Sequence, residues 1–403
     1  MVESPWFYVA APGARLAPPG PHHVDARHDE RLHNSWMTCA RLPFPFLALA
    51  LLSGCASLER SGRASVDAVP VAPAASLVVE EAFVSEARRE DELDSLATWV
   101  VEDGTTLVVA TAKTSHRLVV FDGDGGARLR EVGRRGGGPG EFARPNGIAI
   151  FGELAFVTER DAPRVQVLRL PEFAPVGTFG ERELRSPYGV WVYEAAPGTV
   201  EAYVTDSFMY GSDHRDVPPA EELDQRVRRY RLELDGDALQ ATHLGAFGAT
   251  RGGGVLHIVE SIAGDPVHAR LMVADEDRRQ LATLHEYGFD GRFTGRSLPA
   301  GTFAGEPEGI ALWDCGQDGG YWLVADQITP QTSFHLFDRV TLAPRGSFRG
   351  EITANTDGIA LHAAATPRFP AGVLYAVHDD RALAAFDLGD VIRALDLDPA
   401  CAQ

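Results

Sequence analysis

Short acidic loops follow strand-like runs in the C-terminal quarter of this 403-residue chain. They contain Glu306 and Glu308, Gln327, Asn355 and Asp357, and Asp379. Carboxylate and amide oxygens are the ligands that a hard cation such as Ca²⁺ prefers. Loops at strand ends present such side chains along one rim of a rigid scaffold. These residue types therefore predict a rim of oxygen ligands at which a hard cation could bind.

The chain is strongly acidic, with 57 Asp and Glu residues against 37 Lys and Arg residues and a formal net charge of −20. A surface of this sign repels nucleic acid and anionic lipid, so we expect no nucleic-acid partner. It would also repel a phosphorylated substrate, unless divalent cations reversed the local field. An acidic protein that acts on an acidic substrate therefore needs bound metal ions. The alternative is that the charge serves only solubility.

Apolar runs alternate with Gly and Asp turns from residue 81 onward, and helical periodicity is scarce. Residues 107–111 and 117–122 are typical strands, and the glycine-rich turn at residues 122–126 indicates a hairpin. A repeat of about 50 residues over residues 83–403 predicts an all-β fold, a six-bladed β-propeller of four-stranded antiparallel blades. Residues 207–225 interrupt this rhythm, and we expect them to form a long surface loop.

The N-terminal segment has the features of an export signal. A cationic start and an apolar run too short to span a bilayer end in Leu-Ser-Gly-Cys55, which resembles a bacterial lipobox. We expect residues 37–54 to be a lipoprotein signal peptide, Cys55 to carry the lipid, and residues 1–36 to be a non-native upstream extension. Residues 55–82 predict a flexible tether. The protein would be exported to a bacterial envelope, periplasmic or at the outer-membrane face, with the lipid as its only membrane contact.

Four cysteines are present, of which Cys39 lies in the predicted signal peptide and Cys55 takes the lipid. Cys315 and Cys401 then remain in an oxidising compartment, where either a disulfide between them or two free thiols would be compatible with the sequence. No Cys-x-x-Cys spacing of a metal site occurs in the chain.

Five segments in chain order resemble motifs of the β-propeller phytases, which are calcium-dependent phosphatases of inositol phosphates. Residues 91–100 resemble the acidic opening motif, residues 108–114 a strand that ends in phosphate-binding lysines, and residues 186–193 a Pro-Tyr-Gly strand. Residues 260–277 resemble an acidic unit, and the loops from Glu306 onward resemble the closing blades. The likeness covers nearly all of the mature chain, and it implies a propeller that binds several Ca²⁺ ions.

The resemblance also implies a role for each matching residue. It places catalytic functions on Glu260, Glu308 and Gln327, and phosphate binding on Tyr188 and on Lys113, the only lysine of the chain. The implied metal ligands are Asp94, Asp275, Glu276, Glu306, Asn355, Asp357 and Asp379. Any single one of them also fits an ordinary turn residue, but together they follow the order of the family.

Some positions depart from the family pattern. Ser95 and Thr114 stand where the family has a second aspartate and a second lysine. The phosphate-binding arginine of the family falls opposite Phe151, and its lysine–glutamate pair falls opposite residues 206–207. The arginines near enough in sequence to substitute are Arg144, Arg226 and Arg228. The acidic set of the family is thus largely present, while its cationic set is thinned.

Two functions are compatible with these patterns. The first is calcium-dependent hydrolysis of phytate or a related phosphomonoester by a monomeric enzyme, in which a calcium-bridged water attacks phosphorus without a covalent intermediate. The second is a non-catalytic propeller lipoprotein that binds a ligand or partner at the cell envelope. Residues 136–149 and the following Arg164-Val-Gln-Val favour the second, because they resemble an NHL repeat. NHL-type lyase or lactonase chemistry needs a His or Glu set that the sequence does not show.

Overall fold

The computed structural model describes residues 77–236, 238–316 and 319–402. The upstream extension, the signal peptide, Cys55 and most of the tether lie outside these residues and stay predictions. Within the described part, 25 strands form six sheets and the helices are short. No helix of this part is long and apolar enough to cross a membrane.

Four-stranded sheets follow one another along the chain. Two short strands come first, β1 (Leu77–Val78) and β2 (Phe83–Val84). Blade 1 contains β3 (Leu93–Val100), β4 (Thr106–Ala112), β5 (Arg117–Asp122) and β6 (Arg128–Val132). Blade 2 contains β7 (Pro145–Phe151), β8 (Leu154–Glu159), β9 (Arg164–Arg169) and β10 (Ala174–Phe179). Blade 3 contains β11 (Pro187–Ala196), β12 (Thr199–Asp206), β13 (Val227–Asp235) and β14 (Ala238–Phe247).

The remaining three blades complete the set. Blade 4 contains β15 (Val259–Asp265), β16 (Arg270–Asp275), β17 (Thr283–Gly288) and β18 (Phe293–Ser297). Blade 5 contains β19 (Glu306–Asp314), β20 (Gly320–Gln327), β21 (Ser333–Asp338) and β22 (Pro344–Arg349). Blade 6 contains β23 (Ile359–His362), β24 (Val373–His378) and β25 (Ala382–Asp387), with β2 as its fourth strand.

The blades form a closed ring around their first strands. Strand β3 contacts β7, and the contacts continue through β11, β15, β19 and β23 back to β3. Each blade is an antiparallel meander in which the second, third and fourth strands lie successively further from this centre. The structure therefore confirms the predicted all-β, six-bladed propeller.

The ring is closed by pairing between the two ends of the described chain. Strand β2 pairs antiparallel with β25, Phe83 opposite Ala385, and β1 extends blade 5 by pairing parallel with β22. The Glu81 carboxylate accepts hydrogen bonds from the backbone N–H groups of residues 351–353. Residues 77–82, which the sequence predicts to be tether, thus contribute strand β1 and the hydrogen bonds of Glu81 to the propeller.

The core lies between neighbouring blades, because each sheet is covered on both faces. Central strands such as β24 are therefore apolar and buried almost throughout, whereas outer strands such as β6 are largely exposed. The helix α1 (Leu388–Leu395) packs near β22 and β25, and a disulfide joins Cys315 after β19 to Cys401 at the chain end.

The segment between β12 and β13 is the long loop that the broken strand rhythm predicts. It contains an isolated bridge between Tyr210 and Asp216 and a 3-10 helix, Ala220–Gln225. Two apolar side chains, Phe208 and Leu223, are buried and anchor the loop to the blade. Its tip stays exposed on the face where the candidate site lies.

Candidate metal-binding site at the mouth of the central channel

A channel of about 510 Å³ runs between the six first strands. At one end, its wall begins with a small residue from each blade: Ser95, Gly147, Gly189, Ser261, Gly309 and Gly358. The residue before each of these is, in blade order, Asp94, Asn146, Tyr188, Glu260, Glu308 and Asp357. Six equivalent positions therefore surround this end of the channel, which we call the mouth, and four of them carry carboxylates.

A β-bulge turns these residues away from the regular ladder in five blades. The pairing register shifts across Asp94, Asn146, Tyr188, Glu260 and Glu308, each at the start of the first strand of its blade. A bulge re-aims a side chain that the ladder would otherwise alternate between the two faces. The repeated bulge explains why the first strands of five separate blades direct these side chains to one place.

Threonines of the second strands hold successive bulges in register. The Thr158 hydroxyl accepts from the Gly147 N–H at 2.7 Å and donates to the Tyr188 carbonyl in the next blade. Thr205 likewise accepts from Gly189 at 2.8 Å and donates to the Glu260 carbonyl at 2.7 Å. The blades approach so closely that a Cβ at position 189 would lie 2.3 Å from that carbonyl oxygen. Glycine is therefore required there.

One side of the mouth, which we call the aspartate half, consists of Asp94, Asp357 and Lys113. The Lys113 Nζ lies 2.9 Å from Asp94 Oδ2 and 2.9 Å from Asp357 Oδ2. Tyr188 donates its hydroxyl to Asp94 Oδ2 at 3.2 Å, and the Gln327 amide donates to Asp357 Oδ1. The structure thus brings together five residues that the sequence analysis singled out, and the lysine has carboxylate partners instead of facing solvent.

The other side, which we call the glutamate half, consists of Glu260, Glu276 and Glu308. One carboxylate oxygen from each lies within 4.8 Å of the others, which is a spacing that a single metal ion can bridge. Glu276 and Glu308 are each only 7% exposed. The Glu276 Oε1 atom is buried and has no hydrogen-bond partner in the described structure. Buried polar atoms are normally paired, so this unpaired oxygen is a second observation, beside the spacing of the three carboxylates, that fits a cation ligand.

Crowding of carboxylates shifts the proton affinities of the mouth. Burial, followed by repulsion from Asp94, raises the pKa of Glu260 to about 8. Burial and the same neighbour raise the pKa of Asp357 to about 7, although Lys113 opposes the shift. Burial and neighbouring carboxylates also hold the pKa values of Glu276 and Glu308 well above their ordinary range. Without metal, these groups therefore tend to retain protons near neutral pH.

Three residues of the mouth escaped the sequence analysis. Asn146 is fully buried, and neither its side-chain oxygen nor its nitrogen has a partner among the described residues. Asp380 interacts electrostatically with Lys113 and Asp94, and Glu92 Oε1 lies 3.8 Å from the Lys113 Nζ. Asn146 could have been found from the sequence, because it stands first in a three-residue pattern that recurs in every blade: any residue, then Gly or Ser, then an aliphatic residue. No local signal marks Asp380 or Glu92.

Some predicted metal ligands have other partners. Asp275 accepts hydrogen bonds from the backbone N–H groups of His257 and Ile258 and pairs with the His257 ring at 2.7 Å. Asp379 forms an ion pair with Arg381 at the surface. The carboxylates of Asp206 and Asp326 bind loop N–H groups in the same way as Asp275. Asp275 thus belongs to a repeated loop-holding position, and its neighbour Glu276 enters the mouth instead.

Two predicted ligands lie at the edge of the mouth. Glu306 is half-buried at the start of β19, and its charge contributes to the raised pKa values of Glu276 and Glu308. The Asn355 amide donates a hydrogen bond to Asp380 Oδ1 at 3.1 Å. Both residues are therefore close to the carboxylate groups without belonging to the three-glutamate group.

Arg144, Arg226 and Arg228, the predicted substitutes for the phosphate-binding residues of the family, differ in how accessible their guanidinium groups are. Arg226 is fully buried and donates to the carbonyls of Asp206 and Phe208. Arg228 is 7% exposed and pairs with the Asp206 carboxylate. Arg144 is partly exposed and pairs with Glu92 at 3.1 Å, next to Lys113. Only Arg144 therefore has a position from which it can reach a ligand at the mouth.

An arginine-lined pocket opens beside the glutamate half. This pocket of about 920 Å³ includes Tyr188 and Glu260 in its wall and is bordered by the loop after β12. The arginines in its lining are Arg160, Arg185, Arg215 and Arg279. Arg185 lies 3.7 Å above the Phe208 ring and pairs with Glu222, which fixes its guanidinium. These arginines lie outside the segments that resemble the phytase motifs.

Replacing the carboxylates of the adjacent residues Asp275 and Glu276 by amides should have different effects, on stability at Asp275 and on calcium affinity at Glu276. We expect Asp275→Asn to lower the free energy of unfolding by about 1–3 kcal/mol, since loop N–H groups lose an acceptor, and to leave calcium affinity unchanged. Glu276→Gln should weaken calcium binding at least tenfold without lowering stability in chelator, because it removes an unpaired buried carboxylate. Denaturant unfolding and calorimetric calcium titration measure both effects. Loss of calcium binding in Asp275→Asn would contradict this assignment.

Comparisons with known proteins find similar solved structures. No known family model matches this chain, and neither does any curated protein. A chain of the nidogen/laminin complex matches with a TM-score of 0.49 and 17% identity over 71% of this chain and 90% of that chain. Hydrazine synthase of Kuenenia stuttgartiensis matches with a TM-score of 0.46 and 10% identity over 78% of this chain and 82% of that chain. A catalytically inactive virginiamycin B lyase from Staphylococcus aureus with quinupristin matches with a TM-score of 0.43 and 12% identity over 76% of this chain and 99% of that chain.

At these identities the likeness concerns the fold alone. The class of protein that fold and geometry define is a six-bladed β-propeller whose channel mouth is lined by carboxylates from several blades.

Proposed function

We propose that this propeller is a calcium-dependent phosphomonoester hydrolase whose metal site is the glutamate half of the mouth. The observation that carries the proposal is the Glu276 side chain, which is buried beside Glu260 and Glu308 with one oxygen unpaired. Carboxylates this close cannot all be ionised unless a cation compensates their charge. Oxygen-only donors of this kind fit Ca²⁺ better than a softer metal.

The residues around the metal site have the properties that phosphate-ester hydrolysis requires. A bound divalent cation there would polarise a phosphoryl oxygen and lower the pKa of a coordinated water. With the cation bound, Glu260 would be ionised, and its carboxylate could hold the ion or accept a hydrogen bond from the coordinated water. Burial and nearby carboxylates raise the pKa of Tyr188, so its phenol stays protonated and keeps its hydrogen bond to Asp94 beside the metal site.

The arginine-lined pocket supports a phosphorylated substrate. Guanidinium groups bind phosphate oxygens through charge-assisted, often bidentate hydrogen bonds. Arg185 and Arg215 lie on the wall that leads to Glu260, and Arg215 has no ion pair within the described residues. A volume of about 920 Å³ suits a small molecule with several phosphate groups. Together with the phytase-like motifs, this supports phytate or a related inositol phosphate as the substrate.

A second function, binding without catalysis, is favoured by one specific observation. Lys113, which the phytase resemblance assigns to phosphate, is held by Asp94 and Asp357 and is only 7% exposed. A propeller lipoprotein of the envelope that binds an anionic ligand through calcium would need no such lysine. The predicted lipid on Cys55 would keep either protein, enzyme or receptor, at the membrane surface.

Phosphate release separates the two functions. We expect the full-length protein to release inorganic phosphate from phytate in the presence of calcium and to lose this activity in chelator. Glu308→Gln should abolish release, whereas Glu172→Gln, an exposed carboxylate on blade 2, should not change it. Saturable, calcium-dependent phytate binding without release would support the receptor. If neither release nor binding occurs with calcium, magnesium or zinc, the proposed function is wrong.

A further inference from the structure

We propose that the Lys113 ammonium is a resident counter-cation that fills one of two cation positions at the mouth. The protein then binds a single divalent ion, at the glutamate half, and removal of the lysine charge creates a second divalent site at the aspartate half. This inference rests on the metal site of the proposed function. It replaces the expectation of several calcium ions with a defined number, and it gives Lys113 a role other than phosphate binding.

The two halves of the mouth differ in how their oxygens are satisfied. In the aspartate half, Asp94 Oδ1 accepts from the Ser95 hydroxyl at 3.0 Å, and Asp94 Oδ2 accepts from Lys113 and Tyr188. Asp357 Oδ1 accepts from Gln327, and its Oδ2 accepts from Lys113. All four oxygens therefore have donors, whereas Glu276 Oε1 in the glutamate half has none.

Lys113 is positioned as a bound cation would be. Its Nζ lies 2.9 Å from one oxygen of each aspartate, with Glu92 at 3.8 Å as a third carboxylate. These carboxylates raise the pKa of Lys113 although burial opposes the charge, so the ammonium persists across the physiological pH range. A divalent ion needs the same two carboxylates at shorter distances, and the two cations cannot occupy that space together.

A second ligand-ready group lies next to this position. Asn146 occupies the equivalent bulge in blade 2, adjacent to Asp94 of blade 1, and it is fully buried. Its side-chain oxygen has no partner among the described residues. A neutral amide oxygen is an ordinary calcium ligand. Without the lysine charge, the aspartate half would thus offer two carboxylates with an unsatisfied amide oxygen on the neighbouring blade.

The number of bound calcium ions tests this inference. The full-length protein is titrated with calcium in a calorimeter, in 150 mM KCl, because this salt concentration screens weak surface binding. The wild type should bind one calcium ion, and Lys113→Met should bind two. The combined variant Lys113→Met with Asp94→Asn should return to one site. The control is Arg128→Met. Arg128 lies on the outer strand of the same blade, is buried to a similar degree and pairs with Asp91, so the protein without its charge should still bind one calcium ion.

Stability measurements keep the test decisive if the lysine variant folds poorly. Lys113→Gln retains amide donors for both aspartates while losing the charge, and it should also bind two ions. Calcium should raise the melting temperature of Lys113→Met by more than that of the wild type, because calcium replaces the lost charge. The same calcium stoichiometry in the wild type, Lys113→Met and Lys113→Gln would overturn the inference.

The Glu276→Gln variant separates this inference from the proposed function. In the wild-type background it should remove the single site, and in the Lys113→Met background it should leave one. A wild type that binds no calcium together with a Lys113→Met protein that binds one would refute the glutamate site and support the counter-cation. One ion in both proteins, lost in both on Glu276→Gln, would support the glutamate site and refute the counter-cation.

Discussion

Without divalent cations, the protein should lose stability as the pH rises from about 5 to about 9, and calcium should prevent this loss. The folded-state pKa values of Glu260 and Asp357 are about 8 and about 7, above the ordinary values of 4.5 and 3.8. Between the ordinary and the raised values, the folded protein binds more protons than the unfolded chain. The free energy of unfolding therefore decreases with pH across this window.

Bound calcium reverses this trend, because it stabilises the ionised carboxylates. At a calcium concentration about a thousand times the dissociation constant, the free energy of unfolding rises by about 4 kcal/mol. For a chain of this size, that corresponds to a melting temperature higher by about 10 °C. Thermal unfolding at pH 5, 7 and 9, in calcium and in chelator, measures the effect, which should be largest at pH 9.

Two variants make the assignment specific. Glu260→Gln combined with Glu308→Gln should reduce the pH dependence in chelator, because only Asp357 and Glu276 of the raised group still titrate, and it should remove most of the calcium effect. Glu172→Gln, at an exposed position, should behave like the wild type. A melting temperature in chelator that stays constant from pH 5 to pH 9 would show that these carboxylates do not titrate as the structure implies.

Replacing Arg185 and Arg215 together by alanine should weaken binding of the phosphorylated substrate by about a hundredfold or more. Each charge-assisted hydrogen bond that is lost contributes about 1.5–3 kcal/mol, and each 1.4 kcal/mol corresponds to a tenfold change. Because both arginines lie in the pocket wall and not among the glutamates, calcium affinity should not change. The Michaelis constant for phytate, or its dissociation constant if turnover is absent, is the measurement.

Arg182→Ala is the matched control for the pocket, since Arg182 is exposed three residues before Arg185 and does not line the pocket. Thermal unfolding checks that loss of the Arg185 contacts to Glu222 and Tyr210 does not unfold the loop. An unchanged Michaelis constant in the folded double variant would mean that the substrate does not enter this pocket. The glutamate half would then have to be approached from the side of Arg144.

The fold was accessible from the sequence because its signals are local and repeated. Apolar runs of strand length and Gly or Asp turns recur in every blade, and central strands covered on both faces are apolar throughout. The sequence also indicated most of the mouth, since Asp94, Glu260, Glu308 and Asp357 all precede a Gly or Ser at the start of a first strand. The same pattern includes Asn146, which lies outside all five segments that resemble the phytase motifs.

The direction and the partners of individual side chains could not be predicted from these local sequence patterns. Whether Asp275 or Glu276 enters the mouth depends on which one faces the loop N–H groups of its own blade. Likewise, Asp379 turns to Arg381 at the surface, while its neighbour Asp380 interacts electrostatically with Lys113. A shift of one residue at a strand end reverses the face of a side chain, so the spacing of acidic residues alone leaves both outcomes open.

The sequence by itself determined that this chain is a six-bladed propeller with carboxylates at its strand ends, since strand period, turn chemistry and residue type are local properties. Only the tertiary structure decided that Lys113 pairs with Asp94 and Asp357, while no basic side chain of the described residues forms an ion pair with Glu260, Glu276 or Glu308. The physical reason is that the charge balance of the mouth is a sum over side chains from different blades. That sum exists only after ring closure has brought residues far apart in the chain within a few ångströms of each other.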